Sequence, residues 1–144
     1  MSKKLFAAFG LSALLLVAAA PAALADDLTG SNRFLCSVVT ISRCYIDGCM
    51  DDTPDGALVP QFVNVDLGAK LLSTTPASGQ NRTTPIESLR REGGLIVLQG
   101  LQNGRAFSFV IGERSGNASV AIARDEIVLA VSAVCTPAAA EQKK

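Results

Sequence analysis

Hydrophobic and polar residues alternate along much of this chain, in short runs separated by glycine, asparagine and aspartate. Alternation places successive side chains on opposite faces of a strand, so each run predicts a half-buried β-strand. The runs cover residues 34–45, 62–67, 95–101, 105–111, 118–124 and 127–135, with a short partner at 70–74. Several short strands with turn signals between them predict an all-β fold, an antiparallel sandwich or partly closed barrel of about eight short strands.

The turns between these strands differ in how clearly the sequence defines them. Asn103-Gly104, between two alternating runs, predicts a type I′ hairpin. Residues 73–84 are rich in Ser, Thr, Pro and Gly and predict a loop. The segment 85–92 is ambiguous, because a proline and a glutamate near its start resemble the beginning of a short helix, whereas the glycine pair after it fits a hairpin. We favour a strand there.

Two rows of side chains alternate along the three C-terminal strands. One row is bulky and predicts the core: Phe107, Phe109, Ile111, Val120, Ile122, Ile127, Leu129 and Val131. The other, called the small row below, consists of Ala106, Ser108, Ser119, Ala121, Ala123, Ala130 and Ser132. We expect the small row to form a second buried layer under the N-terminal strands. The alternatives are a smooth outer face that docks a protein and the lining of a ligand-binding barrel.

The N-terminal segment, residues 1–25, breaks the alternating pattern and predicts a secretory signal peptide. Lys3 and Lys4 precede an apolar stretch at residues 5–20, and the Ala-Leu-Ala sequence at 23–25 supplies the small residues of a cleavage site. The apolar stretch is shorter than the ~20 residues that a membrane-spanning helix needs. We therefore expect cleavage and a periplasmic or secreted protein.

Cleavage after the signal peptide leaves a chain long enough for one domain. We expect residues 26–137 to form a single β domain and residues 138–144 to be a flexible tail. No cysteine stands directly after the cleavage site, since the first is Cys36, so lipid attachment at a new N-terminal cysteine is not indicated. The mature protein is thus expected to have no membrane association.

Four cysteines, Cys36, Cys44, Cys49 and Cys135, form an even set in a chain predicted to be exported, which indicates disulfides. We favour Cys44–Cys49, because the Asp-Gly between them predicts a hairpin that brings its flanks together. We favour Cys36–Cys135 because the first and last strands become neighbours if the sheet closes. Thioredoxin-type redox pairs are more closely spaced, so structural disulfides are the better interpretation.

The composition removes several kinds of chemistry. The chain has 13 Lys and Arg against 13 Asp and Glu, and loss of the two N-terminal lysines makes the net charge slightly negative, which gives no electrostatic footprint for nucleic acid. It contains no histidine, so Ser-His-Asp and Cys-His catalysis and histidine-based zinc sites are excluded. The acidic loop at 47–56 resembles a calcium loop, but Phe62 stands where a bidentate glutamate is required. We expect no metal, no cofactor and no enzyme.

Two segments of the chain resemble a recurrent type of small exported proteobacterial protein. They are Val65-Asp66-Leu67-x-x-Lys70 and Leu98-Gln99-Gly100-x-x-x-Gly104-Arg105-Ala106-Phe107-Ser108, and the last strand ends in Cys135-Thr136, as in that group. The group is functionally uncharacterised, so the resemblance implies a periplasmic β domain and a strand at Pro85, but no activity. In general shape the chain is also similar to small periplasmic inhibitors of lysozyme or proteases.

Export without catalytic residues favours a binding protein. We expect a non-catalytic domain that binds another protein as an inhibitor or accessory subunit, with a homodimer as a further arrangement. The residues we expect to dock a partner are Arg90, Arg91, Arg105, Ala121 and Ala123.

Two other functional classes stay open. One is a carrier of a small apolar ligand, although the bulk of Phe107, Phe109 and Leu129 predicts that little cavity is left inside a small barrel. The other is a carboxylate-dependent enzyme, which would need an acid such as Asp66 in a substrate cleft.

Overall fold

One curled antiparallel sheet contains all the strands of the described part of the chain. The structure is a computed structural model and describes residues 26–138, so the predicted signal peptide and residues 139–144 of the predicted tail lie outside the described residues. Its elements are β1 (Arg33–Tyr45), β2 (Gly48–Asp52), α1 (Pro54–Ala57), β3 (Phe62–Asp66), β4 (Leu71–Thr74), β5 (Thr83–Pro85), β6 (Ser88–Glu92), β7 (Leu95–Gln102), β8 (Arg105–Gly112), β9 (Asn117–Arg124) and β10 (Ile127–Pro137). The all-β prediction is confirmed.

The strand order makes this sheet a half-barrel rather than a sandwich. Nine strands follow one another as β5-β4-β3-β1-β10-β9-β8-β7-β6. The long strand β1 is the fourth in this order and pairs along one edge with β10, the central strand. Its other edge is shared, because β3 pairs with its first half and β2 with its second. The sheet therefore widens by one strand at one end of the half-barrel.

A β-bulge in β1 decides which of its side chains face inward. The register with β10 shifts between Val38 and Thr40, and Val39 is left exposed. Before the bulge the buried residues are even-numbered, such as Phe34, and after it they are odd-numbered, such as Ile41. A bulge inserts one unpaired residue and changes the alternation in this way. The odd-numbered side chains beyond it, including Arg43, therefore share the inner face.

The two ends of the strand order, β5 and β6, follow each other directly in the chain. The side chain of Gln102 on β7 reaches β5, because its amide donates to the carbonyl of Thr83 at 2.8 Å and its oxygen accepts from the hydroxyl of Thr84. Gly100 on β7 lets β5 and the ring of Phe107 lie close to its backbone, since a Cβ there would lie 2.5 Å from the ring of Phe107 and 2.9 Å from the carbonyl oxygen of Pro85. These contacts hold the sheet in its curl.

One end of the half-barrel is closed by packed side chains. Leu28, in the segment before β1, is fully buried, and its backbone N–H donates to the carbonyl of Glu113 at 2.6 Å. Arg91 fastens the same end, because it pairs with the Glu113 carboxylate at 2.8 Å and donates to the Ser31 carbonyl at 2.5 Å. Ile96 and other fully buried side chains from the ends of several strands fill this region. The closed end therefore contains the most deeply buried part of the core, which continues into the cavity walls at residues such as Phe109 and Val131.

Both predicted disulfides are confirmed. Cys36 lies opposite Cys135 in the register of β1 with β10, and their bond, called the long disulfide below, is on the inner face. Cys44 lies opposite Cys49 across β1 and β2, and their bond, called the short disulfide, staples this hairpin. No cysteine is free in the described part of the chain. Two disulfides fit an oxidising compartment outside the cytoplasm.

The small row was expected to be buried, and that expectation is wrong. Ala121, Ala123, Ala130 and Ser132 are all exposed on the outer, convex face of the sheet. The reason is topological, because the N-terminal strands join the edge of the same sheet and do not pack across its outer face. The bulky row does face inward, as predicted, with Phe109 as one of its buried members.

Two local predictions also have clear outcomes. The segment 85–92 contains β6, so the strand interpretation is confirmed and the helix is not formed. The polar stretch at 47–56 is more ordered than a turn, since it contains β2 and the short helix α1. Thr53 caps this helix by accepting from the N–H of Gly56 at 3.1 Å, a cap that the sequence analysis did not detect.

Candidate functional site

A cavity of about 300 Å³ opens on the concave face of the half-barrel, away from the closed end. Its apolar walls come from the inner faces of β1, β3, β4, β8, β9 and β10: Cys36, Val38, Val63, Leu72, Phe107, Phe109, Val120, Ile122, Val131 and Ala133. The volume is at the lower end of the ~300–1,000 Å³ usual for small-molecule sites. Concave, mainly apolar sites with a few polar groups are the usual form of ligand pockets.

Two aromatic rings form part of the cavity wall. Phe107 and Phe109 lie on β8 with their ring centroids 5.9 Å apart and their planes at 90°. This edge-to-face arrangement is a favoured aromatic geometry and fixes both rings. The ring of Phe107 extends over Gly100 toward β5. Because the rings lie along the wall, they leave the centre of the half-barrel open, which the bulk of these residues did not predict.

Arg105 and Arg124 form a pair of positive charges at the mouth, called the arginine pair below. Arg105 begins β8 and Arg124 ends β9, one residue beyond the register pair of Ala106 with Ala123. The two arginines therefore face each other across neighbouring strands, in phase with the inward-facing bulky row. Among the described residues, neither has a carboxylate within 4.0 Å. Like charges placed directly opposite each other destabilise a sheet.

Arg82 adds a third positive charge on the opposite rim. It lies just before β5, and its guanidinium donates across the mouth to the carbonyl oxygen of Leu58 at 3.5 Å. Leu58 follows α1 in a left-handed conformation, with φ of 54°, and is 60% exposed. The mouth is thus bordered by one exposed apolar side chain and by arginines.

A smaller cavity of about 230 Å³ lies on the other side of the arginine pair. Arg43 lines it and is held by Asp52 at 2.5 Å and by the carbonyl of Gly56 at 2.5 Å. The pKa of Arg43 is raised, first by a side-chain hydrogen bond with Tyr45 and further by Asp52, against an opposing effect of burial. The Nε of Arg43 is buried and has no hydrogen-bond partner among the described residues.

Neither cavity is lined by a carboxylate or an imidazole among the described residues. The chain has no histidine, and no Asp or Glu is among the described residues that line either cavity. Asp66, the acid considered for catalysis, instead pairs with Arg33 at 3.2 Å and accepts from the N–H of Ala69 at 2.8 Å. Across residues 26–138, no group of three or more potential metal ligands is found. The larger cavity thus presents mainly apolar side chains, with arginines at its mouth.

The residues predicted to dock a partner lie in three separate places. Arg105 belongs to the cavity mouth, whereas Arg91 fastens the closed end. Arg90 is exposed on the outer face of β6. Ala121 and Ala123 line a shallow groove on the outer face, with a volume of about 400 Å³. The structure therefore does not join these five residues into one surface.

Sequence reasoning missed Arg82 and Arg124 as parts of a site. Arg124 carried a readable signal, because it stands in phase with Val120 and Ile122 of the bulky row and so had to face inward. Arg82 carried none, since a residue in a polar loop gives no indication of what it faces. The position of Leu58 likewise depends on where α1 packs.

Comparisons with known proteins add no further identification. No family model, curated protein or solved structure matches the chain. Within residues 26–138, no helix is both long and apolar enough to cross a membrane.

Proposed function

We propose that this protein is a non-catalytic, extracytoplasmic binding protein that carries a small, mainly apolar ligand in the 300 Å³ cavity. The observation that carries the proposal is the open space inside the half-barrel. Phe107, Phe109 and Leu129 were expected to fill it, and a filled interior would have favoured a protein-binding role. A well-formed apolar cavity with few polar groups instead favours a carrier.

The predicted export supports this function. A signal peptide at residues 1–25 and two disulfides fit a protein that works in the periplasm or outside the cell. Expression of the full chain in a Gram-negative host tests this part. We expect the mature protein in the periplasmic fraction, with an intact mass that corresponds to a chain beginning at Asp26. A protein that keeps its N-terminal residues and remains in the cytoplasm would contradict the proposed location.

A pair of leucine substitutions on one strand tests the cavity as a ligand site. Ala133 points into the cavity and Ala130 points out from the same strand, so leucine fills the site at one position and only enlarges the surface at the other. The probe is N-phenyl-1-naphthylamine, an uncharged apolar dye that fluoresces when it leaves water. We expect Ala133→Leu to weaken dye binding at least tenfold and Ala130→Leu to leave it unchanged.

Native mass spectrometry and the dye-binding assay together test the carrier function. Native mass spectrometry of protein purified from its host is expected to show a bound small molecule that Ala133→Leu loses. Equal dye binding by both leucine variants, with unchanged thermal stability, would show that the dye does not use the cavity. A wild-type protein that binds no dye and carries no small molecule would refute the carrier.

A protein partner is the second candidate function, and the short-disulfide hairpin is the observation that favours it. Ile46 at its turn is fully exposed, and Tyr45 and Met50 beside it are also exposed. The short disulfide holds these apolar side chains in a fixed geometry, which reduces the entropy lost on binding a partner. Tyrosine is enriched in protein–protein hot spots, and aromatic residues and methionine are enriched at interfaces.

Crosslinking in the periplasm separates this candidate from the carrier. If the hairpin binds a protein, Ile46→Asp removes a specific crosslinked product and leaves dye binding intact. A second copy of the chain as partner would appear as a dimer of the purified protein. Absence of any crosslink that depends on Ile46 would refute the hairpin as a docking site.

A further inference from the structure

We propose that the ligand of this cavity is an amphipathic oxyanion whose negatively charged head is bound by Arg105 and Arg124 while its apolar part occupies the cavity. This inference rests on the proposed carrier function and extends it from an apolar ligand to a defined chemical class. Its basis is the arrangement of charge around the mouth, which no feature of the fold requires.

The arginine pair places two positive charges directly opposite each other at the cavity mouth. Arg105 and Arg124 stand opposite each other at the ends of adjacent strands, and among the described residues neither has a carboxylate within 4.0 Å. Two like charges in this relation repel each other, and an anion between them converts repulsion into two attractive contacts. Arginine presents a planar set of donors that matches the two oxygens of a carboxylate or the oxygens of a phosphate.

The other inner-face arginines provide an internal comparison. Arg43 is paired with Asp52, and Arg91 is paired with Glu113. Each of these two supports the fold, since Arg43 anchors α1 through the carbonyl of Gly56 and Arg91 fastens the closed end. The chain thus neutralises inward-facing arginines where they hold the structure together. The positive charges of the arginine pair, in contrast, are not neutralised by a carboxylate among the described residues.

The walls around the pair strengthen its field. The larger cavity is lined by Arg82, Arg105 and Arg124 and, among described residues, by no Asp or Glu. The whole chain carries equal numbers of positive and negative side chains, so this is a local concentration of charge and not general basicity. A concave site with apolar walls and charges of one sign focuses the potential and favours a ligand of opposite sign.

The position of the pair relative to the apolar walls sets the ligand's orientation. Ile122 precedes Arg124 on the inner face of β9, and Phe107 follows Arg105 on β8, so apolar lining begins directly inside the charges. A ligand with its charge at one end satisfies both environments, with the head at the mouth and the tail inside. A compact inorganic anion would leave the apolar walls unfilled, and an uncharged hydrocarbon would leave the arginines without a partner.

Competition against the bound dye tests the inference with probes that differ only in the head group. Decanoate, decanol and decyltrimethylammonium share an apolar chain and carry a negative charge, no charge and a positive charge. We expect decanoate to displace N-phenyl-1-naphthylamine at least about tenfold more strongly than decanol, as one or more charge-assisted hydrogen bonds would give, and decyltrimethylammonium to be the weakest competitor. Added salt is expected to weaken the competition by decanoate and to leave the competition by decanol unchanged.

Charge-removing variants locate the effect. In Arg105→Gln/Arg124→Gln we expect decanoate and decanol to compete equally, while the dye itself still binds. Arg90→Gln is the matched control, because Arg90 lies on the outer face, and it should keep the full preference for decanoate. Decyl phosphate, the alternative oxyanion head, is expected to lose its advantage in the same double variant.

The results that would overturn this inference differ from those that would overturn the carrier function. If the wild-type protein binds the dye but decanol competes as well as decanoate, the oxyanion site is refuted and the apolar carrier stands. A preference for decanoate that survives in the double variant would also refute the assigned site. If calorimetry detects neither dye nor decanoate binding, the proposed function and this inference fail together.

Discussion

Replacing Arg124 by glutamine is expected to stabilise the fold while it removes part of the proposed head-group site. Arg124 and Arg105 are like charges on adjacent strands, without a carboxylate within ion-pair distance among the described residues. Cross-strand pairs contribute about 0.2–1 kcal/mol each, and like charges directly opposite each other are destabilising. The middle of that range, about 0.6 kcal/mol, equals the repulsion of two unit charges about 7 Å apart in water. We therefore expect Arg124→Gln to raise the free energy of unfolding by about 0.6 kcal/mol.

Equilibrium unfolding in urea at low and high salt measures this effect. The gain corresponds to a rise in Tm of about 2–4 °C for a domain of this size. The Debye length is about 10 Å at 0.1 M salt and about 3 Å at 1 M, so high salt should remove most of the gain. Arg90→Gln, exposed opposite Val97 on β7, is the control and should change stability little at either salt concentration.

A double-mutant cycle identifies the source of the gain. Either single substitution removes the repulsion completely, so Arg105→Gln/Arg124→Gln should gain no more than each single variant. Additive gains would show that each arginine acts independently of the other. A loss of stability in Arg124→Gln at low salt, or a gain that is the same at high salt, would refute the reasoning that the pair is held in mutual repulsion.

Four further variants test the fold itself. Alanine at both cysteines of the long disulfide should lower the free energy of unfolding by about 4–5 kcal/mol, and alanine at both cysteines of the short disulfide by about 2 kcal/mol. The difference arises because the two bonds close loops with sequence separations of 99 and 5 residues. Urea unfolding measures both losses, and equal losses would contradict this order. Gly100→Ala should cost about 1–3 kcal/mol and weaken dye binding, because the new Cβ meets Phe107; an unchanged melting curve would contradict the close approach. Arg91→Gln should lower the free energy of unfolding by about 1–2 kcal/mol, because it leaves the Glu113 carboxylate without its partner. Hydrogen exchange of backbone amides should then become faster first around Leu28 at the closed end. Unchanged exchange there would show that Arg91 does not stabilise this end.

The elements that sequence reasoning predicted well are those governed by local chemistry. Asn103 and Gly104 both have positive φ, 52° and 71°, as the Asn-Gly type I′ turn requires. The alternation of β8, β9 and β10 likewise placed the bulky row inward. Each of these features depends on residues within one strand or one turn, which a sequence displays directly.

The features that escaped prediction depend on how distant segments meet. The small row was expected to be covered because its residues are neither bulky nor charged, but a sheet that curls to its own edge leaves its convex face in solvent. The cavity was not expected because side-chain bulk was counted without ring orientation, and Phe107 lies along the wall over Gly100. Arg82 reaches the site only through the packing of its loop against Leu58.

A crystal structure of the mature protein with decanoate bound would locate both the cavity and the head-group site. We expect the hydrocarbon chain inside the cavity between Phe107 and Ala133, with the carboxylate within hydrogen-bond distance of Arg105 and Arg124. Decanoate in the outer-face groove at Ala121, or an interior closed by side chains with no ligand in it, would rule out the proposed binding site.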